Sequence, residues 1–418
     1  MNNIPLDYRI AFFTNTWHPF VGGVTNSIQL YHDYLTARGL KIIIYAPTYG
    51  QATEDGDDIR RLPSISQFLK TDFSVPLPVD WKPIQDFRQE AFDLVHVHHP
   101  FLLGETGMRM ARQHRLPLIF TYHTQYEQYT HYVPIPEETA RRTIIDHSAE
   151  FCNLCDLIIA PTSDIKKMLR SRDVSTPIEV LPTGIELAQY READGSPVRE
   201  ELGLDAATPL LLHVGRLAKE KNLEYLMRAC LRVLKEKEKP HLLIIGEGQM
   251  EAPLKQMAGK EAAADRIHFM GRITGDRLAA AYRAADLFVF ASLSETQGMV
   301  IAEAMGAETP VVALDATGVR EVLRDKENGR MLPEDTAEAD FAAAVMDALD
   351  NDEKRAAWRE AALKTAEKMD MPLLAEKLAR IYENMKRVPT HHLKAETMSC
   401  GLIRNYFESV WQDIGTWF

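Results

Sequence analysis

Short apolar runs alternate with longer segments of helical period along the chain. "YRIAFFTN" is a continuous apolar run of strand length. After it, "GGVTNSIQLYHDYLTARG" places two glycines ahead of an amphipathic stretch that stops at Gly39. "LKIIIYAP", "FDLVHVHH", "LPLIFTYHT" and "CDLIIAPT" repeat the strand pattern, each with helical sequence nearby. Strands alternating with helices predict a mostly parallel sheet covered on both faces. Ligands of such sheets sit beyond the carboxyl ends of the strands.

The pattern then restarts. Arg191 to Pro209, "READGSPVREELGLDAATP", is polar and reads as a linker. "LLLHVGRL", "HLLIIGEG", "RIHFMGRI", "DLFVFAS" and "TPVVALD" follow, again separated by helical segments. The expected fold class is α/β, with two Rossmann-like doubly wound domains facing a central cleft. The expected boundaries are 1–190 for the first domain, 191–208 for the linker and 209–371 for the second. "LLAEKLARIYENMKRV" is an amphipathic helix that closes the second domain or crosses back to the first; the assignment adopted is that about 372–388 completes the first. In the tail, 389–418, Phe407, Trp411 and Ile414 share a helical face. Packing on the first domain and insertion at a membrane interface both fit that face.

Bulk properties narrow the classes. The chain has 418 residues, more than one ordinary core holds. Its net charge of -12 argues against a generic nucleic-acid binder, which would show a basic stripe. An acidic protein meets an anionic membrane only through a local basic patch. Two are present, Arg109 to Arg115 and Ile165 to Arg172. Four cysteines in this length are not a disulfide framework. The N-terminal apolar run reads as a first strand, not a signal peptide. No apolar stretch is long enough to span a bilayer. A cytoplasmic protein, held peripherally at a membrane, is the expectation.

The candidate chemistry lies in the loops after the strands. In "ASLSETQGMVIAEAMG" a strand ends near Ala291, a loop carries Glu295 and Gly298, and a helix begins near Met299. Amides at a helix start attract anions, and glycine lets a phosphate approach. Glu303 lies about one turn into that helix. A phosphate-bearing ligand with hydroxyls would explain both glutamates; the plainer alternative is one solvated and one helix-capping carboxylate. "HVGRLAKEKN" supplies Arg216, Lys219 and Lys221 at a strand end, enough cations for a diphosphate or for a solvated turn. Gly22 and Gly23 follow the first strand without forming a G-x-G-x-x-G fingerprint. "FTYHTQYEQYTHY" puts His123, Tyr126, Glu127 and His131 together; polar aromatics line sugar sites, and they also pave surfaces. "CNLC" reads as buried thiols, "HVHH" lacks further metal ligands, and "EDGDD" reads as a solvated loop.

Taken in order, the Gly22-Gly23-Val24 loop, "GRLAKEKN" and two glutamates with seven residues between them resemble the retaining glycosyltransferases of family 4, built on the GT-B fold. The likeness spans roughly residues 8 to 388. "DLVHVHHPF", "TYHTQYEQYTHY" and "SETQGM" narrow it toward bacterial diacylglycerol glucosyltransferases. The resemblance implies the roles that follow. Arg216 and Lys221 bind the donor diphosphate, beside the amides of Gly298, Met299 and Val300. Glu295 holds sugar hydroxyls and Glu303 the ribose, while Gly271 and Arg272 contact the base. Gly22 and Gly23 abut the donor phosphates and sugar, and His123 sits at the sugar. Tyr126, Glu127 and His131 recognise the acceptor. The implied reaction moves a hexose, glucose by expectation, from a nucleotide-diphosphate sugar such as a UDP-sugar to diacylglycerol, with no metal and no cofactor beyond the donor. A soluble sugar or sugar-phosphate acceptor, and a non-catalytic nucleotide-sugar-binding regulator, are the alternatives. Two departures stand against the pattern: the tail after Val388, and a first domain that is not conspicuously basic.

Overall fold

The computed structural model describes residues 8–20, 22–49, 55–65, 75–76, 82–128 and 136–385. Among them, one compact unit runs to Leu181 and takes up the chain again at Ala375; the other is Pro182–Leu374.

The first unit holds β1 (Arg9–Phe13), β2 (Lys41–Pro47), β3 (Ile59–Leu62), the short pair β4 (Ser64–Ile65) and β5 (Val75–Pro76), β6 (Leu94–Val97), β7 (Leu118–Thr121), β8 (Leu157–Ala160) and β9 (Ile178–Val180). Its main sheet has the order β3-β2-β1-β6-β7-β8-β9 and is parallel throughout. Every residue of β6, β7 and β8 is buried, as expected when helices cover both faces, and the polar His96 and Thr121 within them bond to each other. The helix Met371–Met385 starts in the second unit and ends in the first. There the Tyr382 hydroxyl lies 2.7 Å from His96 Nδ1, and the Tyr8 hydroxyl donates to the Tyr382 carbonyl at 3.2 Å. The returning helix therefore supplies a polar partner to the middle of the sheet.

The second unit holds β10 (Leu210–Val214), β11 (His241–Ile245), β12 (Ile267–Phe269), β13 (Leu287–Phe290), β14 (Val311–Leu314) and β15 (Gly329–Leu332). They form a parallel sheet of order β12-β11-β10-β13-β14-β15. Strand alternation sends side chains to opposite faces. Leu210, Leu212, Phe288 and Phe290 join one core with Tyr282 and Ile301. Leu211, Leu287 and Val289 join the other with Leu226 and Phe341. Two parallel α/β sheets are what the alternation of runs predicts.

The stretch expected to link the domains belongs to the second unit instead. Its polar composition hides a helix, Ser196–Glu201, with proline in the first turn and Val198 only 2% exposed. Arg199 fixes it by donating to Asp286 Oδ2 at 2.8 Å and to the Ala284 carbonyl at 2.9 Å. The chain first crosses between units at Leu181–Pro182 and crosses back at Leu374–Ala375. Just inside the second unit its two threads are joined: Ile185 N donates to Met369 O at 2.8 Å, and Met371 N to Ile185 O at 2.9 Å. No helix among the described residues is long and apolar enough to cross a membrane.

Candidate active site

Strand order reverses at β10 and β13 in the second unit, the switch point at whose carboxyl ends open parallel sheets of this kind hold their ligands. The loop after β10 carries Arg216 and Lys221, and the loop after β13 carries Glu295. Lys221 Nζ donates to Glu295 Oε1 at 2.5 Å, with side chains 15% and 19% exposed. Burial by itself would raise the Glu295 carboxyl, but the Lys221 ammonium and the Ser292 hydroxyl together hold it below the ordinary glutamate range. Arg216, more exposed, pairs with Glu220. Ser294 Oγ ties the loops together by donating to the Glu220 carbonyl at 3.1 Å.

Gly298 caps the helix Met299–Gly306 with φ +71°, a left-handed conformation that favours glycine. An added Cβ would also stand 3.0 Å from the Gly318 carbonyl oxygen. The first turn contains no acidic residue, so its amides remain electropositive. Glu303, farther along the same helix, turns toward the helix Gly275–Ala284. Its Oε2 accepts from the Tyr282 hydroxyl at 2.8 Å, and Tyr190 is a second phenolic partner. Burial pushes the Glu303 carboxyl above its ordinary range, against the pull of both phenols. Gly271 and the exposed Arg272 lie after β12, at the same end of the sheet. Gly246 N donates to the Gly271 carbonyl at 2.7 Å, tying that loop to the one after β11.

Sequence reasoning missed Gln297. Its amide is buried, accepts from Thr183 N at 2.7 Å and donates to Thr183 O at 2.6 Å. The glutamine was visible in "SETQGM", but its partner lies far away in sequence. His213 was missed too, although a histidine inside the run "LLLHV" is itself a signal.

In the first unit the order reverses at β1 and β6. Gly22, extended at φ -160°, precedes the helix Gly23–Thr36, and its carbonyl accepts from Asn26 N at 2.9 Å. Nothing lies within 4 Å of a Cβ added at Gly23. His123, after β7, has Nε2 at 2.9 Å from His98 Nδ1, after β6. Burial, then the neighbouring imidazoles, hold both rings well below the ordinary histidine range, so both are neutral at physiological pH.

The residues expected to read the acceptor have partners of their own. Glu127 pairs with Arg172 at 2.5 Å, and Tyr126 packs edge-on against Phe101 and Tyr122. Arg172 is thereby neutralised within the basic stretch to which it belongs. His131 and the aromatic tail fall outside the described residues.

Two of the "EDGDD" carboxylates are not simply solvated. Asp55 accepts from Arg61 at 2.7 and 2.8 Å, and Asp58 pairs with His32 at 2.6 Å. Cys152 and Cys155 are buried free thiols, and burial pushes Cys152 up to about 12. His96 of "HVHH" lies between Tyr382 and Thr121, each at 2.7 Å. Among the described residues no group of three or more metal-ligating side chains is assembled.

Known proteins match along most of the chain. The family described as Glycosyltransferase Family 4 matches residues 21–189, and Glycosyl transferases group 1 matches residues 196–365. An alpha-monoglucosyldiacylglycerol synthase of Streptococcus pneumoniae is 32% identical over 348 residues, covering 82% of this chain and 78% of that protein. The chain belongs to glycosyltransferase family 4. As a family 4 glycosyltransferase it is an enzyme that transfers a sugar from a nucleotide sugar. A GDP-mannose-dependent alpha-mannosyltransferase of Corynebacterium glutamicum is 28% identical over 335 residues, covering 78% of this glycosyltransferase and 76% of that protein. The solved structure of Anabaena HepE in complex with UDP-glucose superposes with a TM-score of 0.70 at 18% identity, covering 90% of this chain and 99% of that one. That likeness carries the GT-B fold of the glycosyltransferase.

Proposed function

We propose that this glycosyltransferase moves glucose from UDP-glucose to diacylglycerol at a membrane surface, with retention of anomeric configuration. The observation that carries the donor half is the Lys221–Glu295 pair, at 2.5 Å, beside the helix start at Gly298 and at the switch point of the second sheet. The acceptor half rests on the relationship to the pneumococcal synthase, named for a glucosyl diacylglycerol.

The diphosphate roles follow from charge, and the remaining ones from the resemblance to family 4. When the glycosidic bond to the donor breaks, negative charge grows on the departing diphosphate. Lys221, Arg216 and the amides of Gly298, Met299 and Val300 are groups fixed beforehand to receive it, and such preorganisation is commonly the largest catalytic contribution. Glu295 has two tasks. It holds the Lys221 ammonium in place, and its second oxygen accepts from a sugar hydroxyl. Glu303 takes the ribose hydroxyls, and Gly271 with Arg272 the base. For the first unit the resemblance assigns Gly22 and Gly23 to the donor, His123 to the sugar, and Tyr126, Glu127 and His131 to the acceptor. Retention is assigned to front-face attack, in which a leaving phosphate oxygen takes the acceptor's proton, so no side chain acts as nucleophile.

The test is a screen of nucleotide sugars against diacylglycerol vesicles, read by product mass and anomeric configuration. A chloroform-extractable α-glucolipid made from UDP-glucose is the expected product. Lys221→Ala should lower kcat/KM by about 100-fold; near-normal turnover would overturn the donor site. One observation favours a soluble acceptor: Arg172 and Lys167 are engaged by Glu127 and Asp164, which lowers the positive charge that one basic stretch offers a membrane. Each Lys or Arg near an anionic surface contributes only about 1 kcal/mol even when unpaired. A water-soluble product would select that reading.

A further inference from the structure

His213 ends one position before the terminus of β10, inside a run that is otherwise aliphatic. Its ring stacks on Phe290 and Phe288, with centroids 5.9 and 6.4 Å away. Packing alone would be served there by another aromatic ring. The imidazole nitrogens show what distinguishes it. Nδ1 lies 3.2 Å from the Val289 carbonyl oxygen. A carbonyl only accepts, so Nδ1 carries the proton and Nε2 presents a lone pair. His213 is 2% exposed, and its Nε2 is buried with no hydrogen-bond partner among the described residues. An acceptor left that way is costly, and one that is kept calls for a partner from outside.

The space for such a partner is at Gly215. Leaving aside the glycine's chain neighbours, only the His213 ring comes within 4 Å of a Cβ built there, with Nε2 at 3.6 Å and Cε1 at 4.0 Å. The room that a side chain at position 215 would occupy is thus bordered by the bare nitrogen, at the mouth of the loop bearing Arg216 and Lys221. Burial holds the ring down to about 4, with the Lys221 ammonium acting in the same direction and the Glu295 carboxylate against it. The ring is therefore neutral in working conditions. A neutral nitrogen lone pair repels the oxygens of an ionised diphosphate and welcomes a hydroxyl.

We infer that His213 reads the donor sugar: Nε2 accepts a hydrogen bond from one hydroxyl of the transferred hexose, admitted through the space beside Gly215. The inference rests on the donor site proposed above and adds a specificity residue to it. Glu295 is the neighbouring carboxylate that takes a sugar hydroxyl, which makes the hexose, rather than the ribose, the source.

The test compares the full chain with its His213→Phe variant, using UDP-glucose, its monodeoxy hexose analogues and its 2′-deoxyribose analogue. The expected wild-type result is a drop in kcat/KM of roughly tenfold for one deoxyhexose donor. His213→Phe should lose roughly as much with UDP-glucose and lose nothing further with that same analogue. Gly215→Ala is the second variant. Its methyl makes ordinary contact with the ring, so folding survives, while the hydroxyl's room is filled; it should erase the same discrimination and leave the melting temperature in place. If the variants discriminate among all analogues as the wild type does, or if coupling falls on the ribose analogue, the inference is overturned. Loss of activity in Lys221→Ala with unchanged discrimination in both variants would sink this inference alone. No turnover of UDP-glucose by the wild type, or full activity in Lys221→Ala, would sink the donor site and this inference with it.

Discussion

Glu303 is a buried carboxyl under opposing influences. Two phenols hold its carboxyl, yet burial keeps it harder to ionise than an ordinary glutamate. A carboxyl whose folded pKa is raised favours folding below its unfolded pKa and costs stability once pH rises far enough to ionise it. Glu303→Gln keeps a carbonyl oxygen for Tyr282 and removes that charge. Its melting temperature should match or exceed the wild type at neutral pH, with the gain disappearing in acid. Its affinity for UDP should fall by about tenfold. Calorimetry across pH, paired with a UDP titration, checks both signs; a clearly less stable variant at neutral pH would show the charge to be compensated. Glu295 has the reverse sign. Its depressed carboxyl stabilises the fold above the ordinary glutamate pKa, and the contribution is lost as pH falls through the folded value. At this scale Lys221 and both glutamates were legible because their charges fall just after apolar strand runs or inside an alanine-rich helix. Gln297 and His213 stand in the sequence too, but their partners, Thr183 and the Val289 carbonyl, are brought to them only by folding.

Among the elements, the loop between β13 and the helix Met299–Gly306 is held from two sides. Gly318 N donates to the Glu295 carbonyl at 3.1 Å, and Gln297 clasps both backbone groups of Thr183. Gln297→Ala would leave a buried N–H and C=O without that partner, at a cost of about 2 kcal/mol. Urea unfolding should show the loss, and UDP binding should weaken as well, because Glu295 and Gly298 flank the anchor. A variant with wild-type stability would show that Thr183 finds other partners. Strands were read well from sequence because full burial forces runs that are apolar at nearly every position. The helix Ser196–Glu201 was not, since one buried valine and one fixed arginine are too little apolar signal to lift it above a polar background.

For the whole molecule, acid is the general threat. Burial lowers His96 and His99 to about 3, and His98 and His123 are also well below 6.5. Below 6.5 the unfolded chain binds protons that the folded one refuses, so stability present above that pH drains away as pH falls. Denaturant melts of the full chain from neutral pH downward should lose stability steadily in that window, by up to about 1.4 kcal/mol per pH unit for each such ring; a flat profile would show that these rings protonate in the fold. Tyr382→Phe tests the returning helix. It removes the hydroxyl from His96 Nδ1 and should cost about 2 kcal/mol, read as a lower denaturation midpoint. The two sheets and the crossing helix were legible in outline, but the boundary was not: composition changes near Arg191, whereas packing changes hands at Leu181. That crossing helix also sets a schedule for synthesis. The first sheet emerges early from the ribosome, yet the tyrosine that completes its centre is encoded about two hundred codons after its last strand. The half made first must wait, incomplete, until the half made second has almost entirely appeared.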